Sequence, residues 1–201
     1  MKNSLLVLIT LLLLLAIPVY RVAADNENQS NTAAGQTKDD VVTGTDANDK
    51  IDTGDGNDNI SGEGGDDFIE AGAGNDLISG GPGNDKIEGG PGDDYIMGGE
   101  GNDIVTDGPG NDYITLGPGD DVLVYYLDNN KGYHDFADGG AGDDTLVLVS
   151  DNIDDMMKNE IIKYYQEQDM IGADIGHVGK LNMSLGVSQF ENVVFATGFK
   201  F

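Results

Sequence analysis

Gly80-Gly81-Pro82-Gly83-Asn84-Asp85-Lys86-Ile87-Glu88 is followed at once by Gly89-Gly90-Pro91-Gly92-Asp93-Asp94-Tyr95-Ile96-Met97, one nine-residue phrase written twice. The phrase runs without a gap through nine copies over residues 44–124, and an isolated tenth copy occupies 139–147. A short fixed period means a stack of small units, none of which can bury its apolar side alone. The sixth position is Asp in all ten copies: Asp49, Asp58, Asp67, Asp76, Asp85, Asp94, Asp103, Asp112, Asp121 and Asp144. The eighth is always a branched aliphatic, from Ile51 and Ile60 through Val105 to Leu123 and Leu146. The fourth is Gly except at Ala47, the fifth is Asn or Asp, and the third, seventh and ninth vary freely.

Glycine opens the backbone angles of a tight turn and leaves carbonyl oxygens uncovered. Positions seven to nine suit a three-residue strand, whose side chains alternate faces, so the eighth residue points inward. Two units then make one coil with a turn on each side, and alternate copies stack their Gly-Asp turns. The nine contiguous copies place five turns on one side and four on the other, leaving four gaps and three. Each gap is framed by two carboxylates and several carbonyls, a shell that suits Ca²⁺, which takes roughly six to eight oxygens at about 2.3–2.6 Å. About seven Ca²⁺ ions are therefore expected as cofactors, with the gap beside Asp144 left open. Zinc and softer metals fit poorly, because there is no Cys and the imidazoles, His134 and His177, lie outside the array. Mg²⁺ demands a smaller, stricter octahedron.

These residues resemble a known family. Gly-Gly-x-Gly-(Asn/Asp)-Asp-x-aliphatic-x is similar to the RTX or haemolysin-type calcium-binding repeat, over 44–124 and 139–147. The resemblance implies a parallel β-roll and ligation by the ten sixth-position Asp side chains with their preceding turn carbonyls. Departures stand at position one, with Thr53, Ala71, Asp107 and Leu116, and at position four, with Ala47. The expected fold class is all-β dominated: a parallel β-roll with a small C-terminal α+β cap.

The whole chain carries 37 acidic and 10 basic residues, a net charge of −27. Nucleic-acid binding needs a basic stripe, and there is none, so that partner is excluded. Residues 44–124 alone hold 20 acidic residues against Lys50 and Lys86. Such a segment stays expanded without cations, so metal binding and folding are expected to be one event. Lys2, the apolar run 5–15 and Val22-Ala23-Ala24 read as a secretory signal with cleavage after Ala24. The run 5–19 falls short of the roughly 20 residues of a spanning helix, and no membrane span is expected after cleavage. The expected localisation is secreted or extracellular, with periplasm or cell surface as variants. The chain has no Cys, so no disulfide staples the product.

The expected layout is a signal peptide at 1–24, a flexible linker at 25–43, the nine-repeat roll at 44–124, an insertion loop at 125–138, the tenth repeat at 139–147 and a capping region at 148–201. Residues 145–149 should extend the roll as a strand. Within the cap, Ile153, Met156, Met157, Ile161, Tyr164 and Tyr165 approach helical spacing over 152–168, and 181–185 and 190–195 read as strands. The segment Gln189-Phe190-Glu191-Asn192-Val193-Val194 resembles one that often follows such arrays. Asp128-Asn129-Asn130-Lys131-Gly132 lacks the bidentate Glu of a helical calcium loop, since its twelfth position is Gly139.

No Gly-x-Ser-x-Gly, His-Glu-x-x-His or Gly-x-x-x-x-Gly-Lys motif occurs, and neither His134 nor His177 belongs to a constellation; the expectation is a protein that is not an enzyme. The leading function is an exported calcium-binding structural or adhesive module, with a cell-surface glycan or protein as partner. The alternative is a calcium-organised carbohydrate-binding accessory using Phe68, Tyr95 and Tyr113, of which Tyr95 and Tyr113 share one sheet while Phe68 lies on the other.

Overall fold

The computed structural model describes residues 19–21, 31–34, 38–151, 173–174 and 184–196. These residues form strands throughout, with turns between them. In chain order they are β1 (Val19–Arg21), β2 (Asn31–Ala34), β3 (Val41–Thr45), β4 (Asp49–Asp52), β5 (Asn59–Glu63) and β6 (Phe68–Glu70). Next come β7 (Leu77–Pro82), β8 (Lys86–Glu88), β9 (Tyr95–Glu100), β10 (Ile104–Thr106), β11 (Tyr113–Pro118) and β12 (Val122–Tyr126). The last are β13 (His134–Ala141), β14 (Thr145–Val149), β15 (Ala173–Asp174), β16 (Ser184–Ser188) and β17 (Asn192–Ala196).

Successive strands from β1 to β15 alternate between two sheets, and β16 stays in the sheet of β15. One sheet runs β1-β3-β5-β7-β9-β11-β13-β16-β15, and the other runs β17-β14-β12-β10-β8-β6-β4-β2. Every pairing is parallel except β15 with β16. Lys50 sits beside Phe68, Phe68 beside Lys86, Lys86 beside Ile104 and Ile104 beside Val122, so each coil takes 18 residues, or two copies. The fold is a parallel β-roll, as the repeat period requires. Its core is the column of eighth-position side chains from both sheets: Ile51, Ile60, Ile69, Ile78, Ile87, Ile96, Val105, Ile114, Leu123 and Leu146 are all buried. Position-one side chains also face inward, and Thr53, Ala71, Asp107 and Leu116 are fully buried.

The roll is longer than the ten copies. Part of the stretch expected as a flexible linker, 25–43, is built into the sheets as β2 and β3, with Asp40 and Val42 buried where a sixth and an eighth residue belong. The expected insertion loop, 125–138, likewise ends in a rung: Phe136 pairs with Tyr113 in register, and Ala137 takes the inward position. The inserted residues are five, because this coil spans 23 residues rather than 18. They are not merely a surface loop, since Tyr125 and Leu127 fill the core. Sequence inspection misses both rungs because Lys38 and the run Asn130-Lys131-Gly132-Tyr133 replace the Gly-rich turn.

Beyond the tenth copy, β14 extends the roll as expected. β16 and β17 continue the two sheets in parallel, so they are further rungs that close the end of the solenoid. The expected helix at 152–168 and most of the expected leader at 1–24 lie outside the described residues; within the leader, 19–21 forms β1 beside β3. Among the described residues no helix is long and apolar enough to cross a membrane.

Stacking at this pitch admits no side chain at certain turn glycines. Gly92 has φ +146°, and a Cβ there would lie 1.8 Å from the Gly74 carbonyl oxygen of the coil below. At position two, where eight of the ten copies carry Gly, Glu63 takes φ 72° as a non-glycine residue. A left-handed non-glycine residue costs roughly 1–2 kcal/mol, part of which glycine returns through its unfolded-state entropy. Gly92→Ala should therefore lower stability in excess calcium by about 2 kcal/mol or more, and Glu63→Gly should raise it by about 0.5 kcal/mol. Guanidinium unfolding of both variants measures the pair, and equal stabilities would contradict the packing described.

Candidate metal centre

Each turn is locked to its neighbours by two side-chain ladders running in opposite directions. In the inner ladder a sixth-position carboxylate accepts the N–H of the sixth residue one coil earlier. Asp67 donates to Asp85 Oδ1 at 2.8 Å, Asp85 to Asp103 Oδ1 at 2.9 Å and Asp103 to Asp121 Oδ1 at 2.7 Å. In the outer ladder a fifth-position side chain accepts from the coil that follows. Asn84 donates to Asp66 Oδ1 and Asn102 to Asn84 Oδ1, each at 2.9 Å. The two ladders account for the constraint on positions five and six, which the sequence showed without showing the bonds.

The inner ladder uses one carboxylate oxygen of each Asp except Asp49, whose Oδ2 accepts from the Thr45 N–H and hydroxyl. The second oxygen is buried without a hydrogen-bond partner in all ten: Asp49, Asp58, Asp67, Asp76, Asp85, Asp94, Asp103, Asp112, Asp121 and Asp144. Buried polar atoms are nearly always satisfied, so ten orphans at one phase signal a shared missing partner. Position-one glycines make room beside them. A Cβ on Gly62 would lie 2.2 Å from Asp67 Oδ2 and 2.5 Å from the Gly80 carbonyl oxygen, and Gly80 stands likewise to Asp85 and Gly98. Among the described residues no three His, Cys, Asp or Glu side chains converge on a point. The ligand shell therefore needs main-chain carbonyls beside the carboxylates, an all-oxygen set that fits Ca²⁺.

Electrostatics point the same way. Adjacent parallel strands lie about 4.8 Å apart, where two unit charges repel by about 3 kcal/mol at an effective dielectric near 20. Burial, and then the charges of neighbouring Asp, push Asp94 up to about 8 and Asp67, Asp103 and Asp112 to about 7, against the favourable backbone N–H bond. Asp93 differs by one position and shifts the other way: it is exposed, and the backbone and side-chain amides of Asn111 lower its pKa. The inner column thus carries buried charge that its backbone bond does not offset, while the outer one is exposed and eased by neutral amide donors.

All ten sequence-derived Asp residues lie in two columns, one on each side of the roll. Three acids that sequence reasoning passed over join them. Asp40 N–H donates to Asp58 Oδ1 at 2.7 Å, Asp135 Oδ1 accepts from Asp112 at 2.9 Å, and Glu191 Oε2 accepts from Asp144 at 2.8 Å. The signal was present at Asp39-Asp40-Val41-Val42, which matches positions five to eight. Asp128 is no ligand of this kind, being held by Lys131 Nζ at 2.8 Å and Ser150 Oγ at 2.9 Å. His134 is exposed and donates its N–H to Asn111 at the outer ladder, while His177 lies outside the described residues.

A carboxyl whose folded pKa exceeds its unfolded value binds more protons folded than unfolded, so acid favours the folded form between the two values. For Asp94 that window runs from 3.8 to about 8. The metal-free roll should accordingly gain sheet structure as pH falls from about 8 toward 5, and calcium should bind more weakly over the same interval because protons compete. Circular dichroism in chelator, repeated across that range, tests this; an ion-free β signal that grows with rising pH would contradict it.

A family model for the RTX calcium-binding nonapeptide repeat matches residues 28–60, 52–87, 61–96, 88–123, 97–130 and 131–152, together covering most of the chain. Its reach takes in the rungs built on Asp40 and Asp135, which lie outside the ten regular copies. A search of curated proteins finds no match. The phase of the ladders and the reach of this match lead to one conclusion: the chain belongs to the family of RTX calcium-binding nonapeptide repeat proteins.

Proposed function

We propose that this is an exported calcium-binding protein whose repeats fold when ions enter the turn gaps, and whose roll then serves as a rigid structural or adhesive module. The observation that carries the reading is the set of ten buried carboxylate oxygens without partners. About seven ions would occupy gaps flanked on both sides by Asp of the contiguous array. Export agrees with this chemistry, since millimolar calcium is met outside the cell. Cleavage after Ala24 would remove β1 and leave β3 at the edge. The proposal assigns no catalytic residue.

An adhesive role has a candidate face. On the sheet that holds β7, β9, β11 and β13, Leu77, Tyr95 and Tyr113 are exposed, in one row with Phe136. The rings of Tyr95 and Tyr113 stack at 5.0 Å, and those of Tyr113 and Phe136 at 4.9 Å. Phe68 stands on the other sheet, where Lys50 and Lys86 approach its ring at 4.9 and 4.8 Å. Sugars bind aromatic rings through their faces. In this row the faces meet each other and the edges face outward, which favours a protein surface over a glycan as the partner.

Calcium titration of residues 25–201, followed by circular dichroism, should show a coil-to-sheet transition that chelator reverses and magnesium reproduces only weakly. Equal sheet content in excess chelator at neutral pH would overturn the reading. Asp85→Asn keeps the oxygen that accepts the Asp67 N–H but removes the charge. It should bind fewer ions and shift the folding midpoint several-fold toward higher calcium; unchanged stoichiometry would remove Asp85 from the ligand set.

A further inference from the structure

One buried polar group belongs to neither ladder. Along one side of the roll, the inward position-one residues are Thr53, Ala71, Gly89, Asp107 and Asn130, in successive coils. Thr53 satisfies itself by donating its hydroxyl to the Ala71 carbonyl at 2.7 Å. On the other side the corresponding residue of the last contiguous copy is Leu116, part of the apolar core. Asp107 and Asn130 therefore occupy places where neighbouring coils carry small or apolar residues, and both are fully buried.

Their bonding is incomplete. Asn130 Nδ2 donates to Asp107 Oδ2 at 3.1 Å, whereas Asp107 Oδ1 and Asn130 Oδ1 have no partner. In the same coil pair, Asp112 Oδ2 is also buried without one. Asp135 is occupied: it accepts from the Asp112 N–H at one oxygen and from the Tyr125 hydroxyl at the other. The ion pairs among the described residues join Lys50, Lys86 and Lys131 to Glu70, Glu88 and Asp128, and none reaches this group. A buried carboxylate without a counter-charge is strongly destabilising. Burial and the charges of Asp135 and Asp112 drive the Asp107 pKa well upward.

We propose that a divalent cation binds inside the roll, between the coils of Asp107 and Asn130, through Asp107 Oδ1, Asn130 Oδ1 and Asp112 Oδ2. Two carboxylates and an amide carbonyl form a hard, all-oxygen donor set that matches Ca²⁺ and balances its charge. The site shares Asp112 Oδ2 with the acidic column of the turns and takes its other two donors from position one, which elsewhere supplies Gly, Thr, Ala or Leu. It explains why Asp and Asn replace those residues in adjacent coils, and why a five-residue insertion brings Tyr125 beside them. The ion would tie the irregular coil to the regular array from within.

The test measures bound calcium per chain in the full-length protein by equilibrium dialysis and elemental analysis. Asp107→Leu, which repeats the side chain that Leu116 places in the core, and Asn130→Leu should each lose one ion, and the double variant should lose no more than that. Terbium in place of calcium gives a second readout, since Tyr125 lies close enough to sensitise its emission: tyrosine-excited emission should fall in Asp107→Leu and in Tyr125→Phe. Should the leucine variants fail to form sheet in excess calcium, the isosteric Asp107→Asn decides, again with one ion lost. Full stoichiometry in Asp107→Asn overturns the proposal in favour of a proton shared between acid and amide. A wild-type chain that binds no calcium at all overturns the turn sites as well, whereas unaffected Asp107 variants of a calcium-loaded chain overturn this site alone.

Discussion

A carboxylate that gives one oxygen to a backbone N–H and keeps the other out of water is the constraint on which this roll depends. It is repeated about every 4.8 Å along each side, so the attraction that aligns the turns also brings like charges together. Hydrogen bonds hold the geometry but do not neutralise it, as the contrast between Asp93 and Asp94 shows: the exposed side chain is eased by its amide partners, and the buried one is pushed up to about 8. Apolar burial offers little compensation, since each nine-residue unit contributes chiefly one aliphatic side chain to the core. An all-oxygen cavity with excess negative charge is what remains, a donor set that suits hard cations.

Much of this was legible in the sequence because the period is short and its constraints fall on separate positions. Ile87 and Ile96 nine residues apart, with Asp85 and Asp94 each two places before, are enough to fix the coil, the inward face and the acidic columns. Residues whose roles arise only in the stack were harder to read. Asp40 and Asp135 sit in turns with few of the usual glycines, and a pattern built on Gly-Gly-x-Gly passes over them. Their membership follows from pairing, since Asp40 meets Asp58 and Phe136 meets Tyr113 in register. Asp107 reads as a simple departure from glycine until the inward direction of position one is known. Phe136 joins the row of Leu77, Tyr95 and Tyr113 only after the five-residue insertion is placed.

The irregular places carry the individuality of the molecule. Regular copies are interchangeable by construction, each repeating the bonds of the one before. The coil containing Tyr125, Leu127, Asn130 and Asp135 does something different: it enlarges the core, satisfies Asp135 with a phenol and sets an amide against a buried acid. It then hands the chain to β14, and through it to β17, where Glu191 replaces Asp as the last acceptor of its column.

The 18-residue coil also sets the arithmetic by which such a chain can change length over generations. Deleting or duplicating two successive units shortens or lengthens the roll and leaves every downstream residue on its own sheet. Deleting one unit moves everything that follows to the opposite sheet. Leu77 and Tyr95 would then be parted from Phe136, and each acidic column would be spliced onto the other. Slippage during replication should thus survive in pairs of units, making the coil, rather than the nonapeptide, the quantum of inheritance.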